Sequence, residues 1–311
     1  MAELVALRRP PWWPLAEHSQ QLRVGSTDWH FQRLGRRGAP VVLLLHGTGA
    51  GSHSFRQLAP LLARHAEVVV PDLPGHGYTQ IAPSQALSLP AVAQALSELL
   101  QALQLRPALV VGHSAGAAVA LRMALDGTIA PDLLVSINGA ILPLQGPLGR
   151  LFLPAARLLV VNPLVPHAFA TWAGVPAVAR RLLQGTGSLV DAAGQRCYAE
   201  LISQPAHVAG ALRLMASWQL EPLAADLPRL HTPLLLLAGR DDRTLPASHA
   251  WRVHGVLPAS RVVMLDGLGH LAHEEAAAPV AQHIEAAWRE LRQGGRLDQP
   301  GAAAEPAARA A

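Results

Sequence analysis

One short motif, Gly112-His-Ser-Ala-Gly116, constrains the fold of this chain more than any other feature. The apolar run 108–111 before it is typical of a buried strand, and the small residues after it favour the start of a helix. Glycines allow the backbone to turn sharply between two such elements, and the serine is then raised above the edge of a sheet. The motif therefore predicts an accessible nucleophile, Ser114, in a protein of the α/β class.

Strands and helices alternate along most of the sequence. Amphipathic spacing predicts helices at 89–104 and 277–292, among others. Continuous apolar runs, typical of parallel strands covered on both faces, occur at 40–46, 67–71, 108–111, 132–137, 232–238 and 261–265. This alternation predicts an α/β fold with a doubly wound, mostly parallel sheet.

The chain divides into regions by composition and pattern. Residues 1–24 form an N-terminal arm, and residues 25–141 and 226–292 form the α/β core. Residues 142–225 interrupt the alternation, because they are Pro-rich, sparsely charged and mostly helical in spacing. They predict a helical lid inserted after the sixth strand of the sheet. Residues 293–311 lack a pattern that could form a core, which predicts a disordered tail.

Composition excludes several classes of function. The net charge is only +4 and the basic residues, all arginines, are scattered, so we expect no nucleic-acid binding. The single cysteine, Cys197, allows no intramolecular disulfide, and no His/Cys spacing predicts a metal site. No apolar stretch reaches ~18 residues and no secretory signal is visible, so we expect no transmembrane segment and a cytoplasmic location. No cofactor is expected.

A serine nucleophile needs a base and an orienting acid, which follow it along the chain in this fold class. The loop 239–246 after a predicted strand holds both Asp241 and Asp242. The spacing to the flanking Gly and Pro favours Asp242 as the acid and leaves Asp241 as a solvated or turn-capping residue. His270 follows a glycine beyond the next strand and is the predicted base, whereas His273, one turn later, is interpreted as a surface or capping histidine.

Backbone N–H groups are expected to stabilise the oxyanion that forms when Ser114 attacks a carbonyl. The amide of Ala115 lies directly after the nucleophile at a helix start, and Thr48 in the Gly-rich loop 46–51 is the candidate for the second donor. This loop contains no lysine, which excludes a Walker-type phosphate loop. His46 at its start is interpreted as a structural hydrogen-bonding residue.

Four further residues are candidates for the substrate pocket: His113, Asn138, Trp172 and Trp218. Each has a structural alternative, because His113 could only fill the serine turn, Asn138 could belong to an ordinary Asn-Gly turn, and the tryptophans could be core residues. The sparsely charged lid suits a large apolar ligand or a lipid surface, or else it packs on the sheet and dimerises. Its only basic side chains are Arg150, Arg157, Arg180, Arg181, Arg196 and Arg213.

The motifs around the serine, acid and histidine resemble the α/β-hydrolase superfamily over residues 25–292. A closer resemblance is to the magnesium-chelatase accessory hydrolases of bacteriochlorophyll biosynthesis. It is carried by Trp29-His-Phe-Gln, His46-Gly-Thr-Gly-Ala, Pro71-Asp-Leu-Pro-Gly-His-Gly, Gly112-His-Ser-Ala-Gly-Ala-Ala, Ile137-Asn-Gly-Ala, His207-Val-Ala-Gly-Ala-Leu and Gly267-Leu-Gly-His-Leu-Ala-His-Glu-Glu. This resemblance implies a role near magnesium insertion into protoporphyrin IX, with a tetrapyrrole as ligand and magnesium-chelatase subunits as partners.

The leading functional prediction is a serine hydrolase that cleaves an ester-type bond of a small apolar substrate. Two alternatives stay open at this point. The chain could be an accessory protein that binds a porphyrin or chelatase subunits without turnover, or it could hydrolyse carbon–carbon bonds with the same three residues. Contact with a membrane surface also stays open.

Overall fold

A central sheet organises the computed structural model, which describes residues 10–82, 84–143, 162, 164–173 and 175–297. Among these residues the sheet has nine strands, in the order β1-β2-β4-β3-β6-β7-β8-β9, with β5 beside β2. The strands are β1 Ser19–Val24, β2 Thr27–Gly35, β3 Val41–Leu45, β4 Glu67–Pro71, β5 Gln80–Ile81, β6 Pro107–His113, β7 Leu133–Ile137, β8 Leu234–Gly239 and β9 Arg261–Leu265.

Most of the sheet is parallel, as predicted. Strands β3, β4, β6, β7, β8 and β9 pair in parallel. Strand β2 pairs antiparallel with β1, β4 and β5. The carboxyl ends of the parallel strands therefore meet at one edge, which is where α/β proteins place their ligands.

Helices cover both faces of the sheet. They are α1 Leu58–Leu62, α2 Leu89–Ala102, α3 Ala115–Leu125, α4 Leu164–Ala173, α5 Pro176–Gly185, α6 Ala192–Ile202, α7 Pro205–Ala216, α8 Glu221–Asp226, α9 Ser248–Val256, α10 Ala272–Glu275 and α11 Ala277–Arg292, with 3-10 turns at Ala16–His18, Ser52–Phe55 and Leu227–Arg229. Leu43 and Leu45 belong to the core cluster on the side of α2 and α3, and Val42 and Leu44 belong to the cluster on the side of α1 and α11. Buried apolar side chains on both faces explain why the strands read as continuous apolar runs.

The predicted helix bounds agree closely with the structure. The last helix spans 277–292 as expected, and α2 ends two residues before the predicted end at 104. Gln104 has a φ of 55°, and the N–H of Leu105 donates to the carbonyl of Leu100 over 2.9 Å. A residue in the left-handed conformation followed by such a bond is a common C-terminal cap of a helix. This cap ends α2 before the apolar pattern of the sequence ends.

Two of the predicted region boundaries need correction. Residues 19–24 of the predicted arm form the edge strand β1, whose polar, half-exposed side chains gave no strand signal. In the predicted tail, Leu297 is 3% exposed and belongs to the core cluster that contains Trp288. Residues 1–9, 83, 144–161, 163, 174 and 298–311 lie outside the described residues, and with them most of that tail and part of the predicted lid.

The insertion, defined here as residues 142–225, lies between β7 and β8. In chain order it follows the seventh of the described strands, whereas the sequence pattern predicted it after the sixth. Its described residues form α4 to α7 and most of α8. None of the helices in the described part of the chain has the length and apolar character needed to cross a membrane.

Candidate active site

Ser114 lies in the sharp turn between β6 and α3. Its backbone has a φ of 51° and a ψ of −117°, a conformation that costs energy for any residue with a side chain. A Cβ atom at Gly112 would lie 2.4 Å from the Cα atom of Ala117, and one at Gly116 would lie 2.1 Å from the carbonyl oxygen of Leu45. The two glycines are therefore required by close backbone contacts on both sides of the serine.

His270 lies in the loop after β9 and is held by a carboxylate. Its Nδ1 atom is 2.7 Å from Oδ2 of Asp242, whose side chain is only 1% exposed. The other oxygen, Oδ1, accepts the backbone N–H groups of Thr244 at 2.7 Å and Leu245 at 2.9 Å. The neighbouring Asp241 is exposed, so the structure pairs His270 with the acid favoured by the sequence. A ring that donates through Nδ1 keeps Nε2 available for proton transfer.

Asn138 and His113 were predicted as pocket residues, but neither is in the described lining of the cavity that contains Ser114. The Nδ2 group of Asn138 donates to the carbonyls of Gly269 at 3.0 Å and His270 at 2.9 Å, while its Oδ1 accepts the N–H of Gly239 at 2.7 Å. His113 is buried and donates through Nε2 to the carbonyl of His270 over 3.0 Å. Both side chains therefore tie the histidine loop to the sheet.

The Gly-rich loop lies directly against the serine. A Cβ atom at Gly47 would lie 2.9 Å from the Cβ atom of Ser114, and the N–H of Ala50 donates to the carbonyl of Gly47 over 3.2 Å. Gly49, the third residue of this turn, has a φ of 76°, which favours glycine. Thr48, the second residue of the turn, lines the same cavity as Ser114.

His46 has the structural role that the sequence suggested. Its ring is fully buried, and its Nδ1 group donates to the carbonyl of Gly47 over 2.8 Å while Nε2 accepts the N–H of Leu73 over 2.8 Å. Because the amide of Leu73 can only donate, the ring is fixed as the neutral Nδ1–H tautomer. Burial lowers the pKa of His46, which favours the same neutral form.

His273 is not a surface residue, contrary to the sequence interpretation. It is completely buried, and burial together with the nearby His270 lowers its pKa to about 3. Its Nε2 group donates to Oγ of Ser54 over 2.7 Å, and Ser54 donates to Oε1 of Glu274 over 2.8 Å. The neighbouring Glu274 is buried as well, and it forms an ion pair with Arg56.

A cavity of about 370 Å³ opens in front of the serine. Its described lining is mostly apolar and consists of Thr48, Ser114, Ala115, Ala140, Leu142, Pro143, Thr186, Leu214, Met215, Trp218, Leu220, Glu221, Thr244, Leu245 and His270. Trp218, a predicted pocket residue, lies in this lining. Trp172 is 55% exposed on α4 and does not contribute to this lining, so that prediction was wrong. Glu221, which the sequence gave no reason to select, is the one carboxylate in the described lining.

The described arginines of the insertion, Arg180, Arg181, Arg196 and Arg213, are not part of this lining. The guanidinium of Arg196 lies 3.8 Å from the ring centroid of Trp12, and that of Arg213 donates to the carbonyl of Gln85. Arg180 and Arg181 are exposed. Arg150 and Arg157 lie outside the described residues. Within the described ranges, no cluster of three or more His, Cys, Asp or Glu side chains could hold a metal ion.

Comparison with known proteins shows the family of this chain. A family model of the alpha/beta hydrolase fold matches residues 40–277. The chain belongs to the alpha/beta hydrolase family. It is 41% identical over 268 residues to the magnesium-chelatase 30 kDa subunit of Rhodobacter capsulatus, which covers 86% of this chain and 93% of that protein.

Solved structures of this family have the same fold. A thermophilic esterase from Thermogutta terrifontis superimposes with a TM-score of 0.68 at 23% identity, over 88% of this chain and 99% of that one. The epoxide hydrolase CorEH superimposes with a TM-score of 0.72 at 22% identity, again over 88% of this chain and 99% of that one. At these identities the likeness shows the fold alone.

Proposed function

We propose that this hydrolase cleaves an ester-type bond with Ser114 as nucleophile, His270 as general base and Asp242 as orienting acid. One observation carries the proposal: the 2.7 Å contact between His270 and Asp242 lies beside a serine in a strained turn, and the serine and histidine line one apolar cavity. A binding protein without turnover has no need for this combination of strain and a buried carboxylate.

In the proposed mechanism, Oγ of Ser114 attacks the ester carbonyl while Nε2 of His270 accepts its proton. The carboxylate of Asp242 stabilises the imidazolium that forms. The backbone amides of Thr48 and Ala115 donate to the negative oxygen of the tetrahedral intermediate. His270 then returns its proton to the leaving alkoxide, and water hydrolyses the acyl-serine by the same steps.

The cavity favours a neutral, apolar substrate. Its described lining contains Glu221 and no arginine, so a carboxylate group on the substrate would meet a like charge there. We therefore favour an ester whose reacting end carries no charge, such as an esterified side chain of a tetrapyrrole. The similarity to the magnesium-chelatase 30 kDa subunit supports a role beside magnesium insertion with chelatase subunits as partners. We propose that this role belongs to bacteriochlorophyll biosynthesis and is carried out in the cytoplasm.

Covalent labelling by a fluorophosphonate probe tests the assignment of the nucleophile. The wild-type protein is expected to react, and Ser114→Ala is expected to lose both labelling and at least ~10³-fold of its turnover of a short-chain p-nitrophenyl ester. Ser203→Ala, at an exposed serine of the insertion, is the matched control and keeps both. Labelling that persists in Ser114→Ala would exclude the proposed nucleophile.

A second candidate function is a non-catalytic accessory role, favoured by the word "subunit" in the name of the 41% identical relative. It predicts saturable binding of protoporphyrin IX or of chelatase subunits that Ser114→Ala does not change, with no probe labelling. Hydrolysis of a carbon–carbon bond would use the same three residues. Carbon–carbon bond hydrolysis would be recognised by fluorophosphonate labelling of Ser114 in a protein that turns over no ester.

A further inference from the structure

The two carbonyl groups that flank Thr48 are both held by histidine rings. His46 donates to the carbonyl of Gly47, as described above. On the other side, Nε2 of His207 donates to the carbonyl of Gly49 over 3.2 Å. His46 belongs to the same loop, whereas His207 lies on α7, in the insertion.

The ring of His207 is locked in one orientation and one tautomer. It is 2% exposed, and its Nδ1 atom accepts the N–H of Gly77 over 3.0 Å. Because that amide can only donate, the proton of the neutral ring must be on Nε2, which is the atom facing Gly49. Burial lowers the pKa of His207 to about 4, so the ring stays neutral in ordinary buffers.

Helix α7 also makes a backbone contact with the core. A Cβ atom at Gly210 would lie 1.9 Å from the carbonyl oxygen of Gly75, so the helix sits on the loop 72–78 without any intervening side chain. One turn further, Leu214 and Met215 line the cavity in front of the serine. The same helix therefore contacts the substrate cavity and the Gly-rich loop.

We propose that His207 is a positioning residue that couples the insertion to the oxyanion hole by fixing the Gly49 carbonyl. The inference rests on the proposed function, since it assumes that the Thr48 amide receives the developing charge. A peptide group is planar and rigid, so rotation of the 49–50 peptide changes the conformation of the whole four-residue turn. Such a rotation would move the Thr48 amide from the position where it can donate, and a free carbonyl oxygen beside the site would repel an oxyanion.

The two hydrogen bonds of His207 can be removed separately. In His207→Gln, the terminal amide can reach the former Nε2 position and donate to Gly49. In His207→Asn, the shorter amide can reach the Nδ1 position and accept from Gly77, but it cannot reach Gly49. His207→Leu removes both bonds. A purely structural role predicts that the Gln and Asn variants have similar kcat. The proposed role predicts that kcat is kept only in the variant that still donates to the carbonyl of Gly49, which is His207→Gln.

Steady-state kinetics on a p-nitrophenyl ester, normalised to sites titrated by the fluorophosphonate, provide the first test. His207→Asn and His207→Leu are expected to lower kcat by about 10–100-fold, less than complete loss of an oxyanion donor, with KM within about 3-fold. His207→Gln is expected to stay within about 3-fold of the wild-type kcat. A Gln variant that loses as much kcat as Asn, or an Asn variant with wild-type kcat, overturns the proposal.

Hydrogen exchange of a peptide covering residues 46–52 provides a second test that needs no turnover. The Asn and Leu variants are expected to exchange faster in this peptide, and the Gln variant to match the wild type. Equal exchange in all variants contradicts the coupling. Failure of the proposed function would instead be seen as unchanged fluorophosphonate labelling in Ser114→Ala. This outcome does not depend on the rate of hydrogen exchange in residues 46–52.

Discussion

Acid should unfold this protein well before its carboxylates are protonated. Six buried histidines have a strongly lowered pKa, and burial is the largest cause for each: His53, His76, His113, His207, His249 and His273. In the unfolded chain these rings regain a pKa near the ordinary value of 6.5. Below that pH the unfolded state therefore binds protons that the folded state cannot accept, and stability is lost as the pH falls.

The size of the effect follows from proton uptake by the unfolded chain. Between pH 7 and pH 6 an ordinary histidine takes up on average about half a proton, which corresponds to about 0.7 kcal/mol of stability per ring. Six rings together give a loss of about 4 kcal/mol, against a total of roughly 5–15 kcal/mol for a typical domain. Glu274, whose pKa burial raises, opposes this loss by at most about one proton.

Urea unfolding followed by circular dichroism at pH 7.0, 6.5 and 6.0 measures this loss directly. His53 offers the sharpest variant, because neither ring nitrogen has a hydrogen-bond partner among the described residues. His53→Leu should reduce the loss between pH 7 and pH 6 by about 0.7 kcal/mol, while the same change at the exposed His65 leaves it unaltered. A wild-type loss below about 1 kcal/mol would show that these rings are not buried and neutral.

Three further predictions concern the site. Asn138→Ala removes three buried hydrogen bonds around the histidine loop. It should lower the free energy of unfolding, measured in urea, by about 2–4 kcal/mol, and it should also lower kcat. An unchanged urea midpoint would contradict the role of Asn138. Asp242→Asn should lower kcat by about 10⁴-fold, which is the loss known for the corresponding change in a serine protease, while Asp241→Asn should change kcat little. The reverse ranking of the two variants in ester turnover would refute the assignment of the acid. A tetrapyrrole with esterified side chains, the dimethyl ester of protoporphyrin IX, should quench tryptophan fluorescence saturably. Trp218→Phe should remove more of this quenching than Trp172→Phe, because of these two only Trp218 lines the described cavity. Equal effects would place the ligand elsewhere.

The residues paired at the site could be predicted because the signals are local. Ser114, Asp242 and His270 each follow a strand in a short loop, and the parallel sheet brings those loops to one edge. The choice between Asp241 and Asp242 followed from spacing, and the structure contains the contact expected for Asp242. The catalytic roles of these residues remain predictions until the variants are assayed.

The direction of a side chain could not be predicted from the same motifs. Asn138 and His113 lie next to the site in sequence, but their hydrogen bonds run to the carbonyl of His270, a partner more than a hundred residues away. His273 was assigned to the surface because nothing local indicates its buried partners Ser54 and Glu274. Long-range polar contacts of this kind have no periodicity, so pattern reading does not detect them.

The edge strand β1 and Leu297 were missed for a related reason. The strand is six residues long, half-exposed and mostly polar, and its conformation is imposed by pairing with β2. Leu297 is a single apolar residue in a stretch of Gly, Arg and Gln, and only the packing of α11 makes its burial favourable. Tertiary contacts decided both outcomes against weak local preferences.

The contacts around the buried ion pair of Arg56 and Glu274 have a consequence for the mobility of α6. Arg56 also contacts Asp191 at the start of α6 over 2.6 Å, and Tyr198 of α6 donates to Glu274 over 2.7 Å. Swinging α6 outward would break both contacts, at a cost of about 1.5–3 kcal/mol for the buried hydrogen bond to the Glu274 carboxylate and at most about 1 kcal/mol for the half-exposed pair of Arg56 and Asp191. An opening that costs about 2–4 kcal/mol in total would be populated in roughly one molecule in thirty to one in seven hundred. We therefore expect α6 to stay in place in most molecules during turnover.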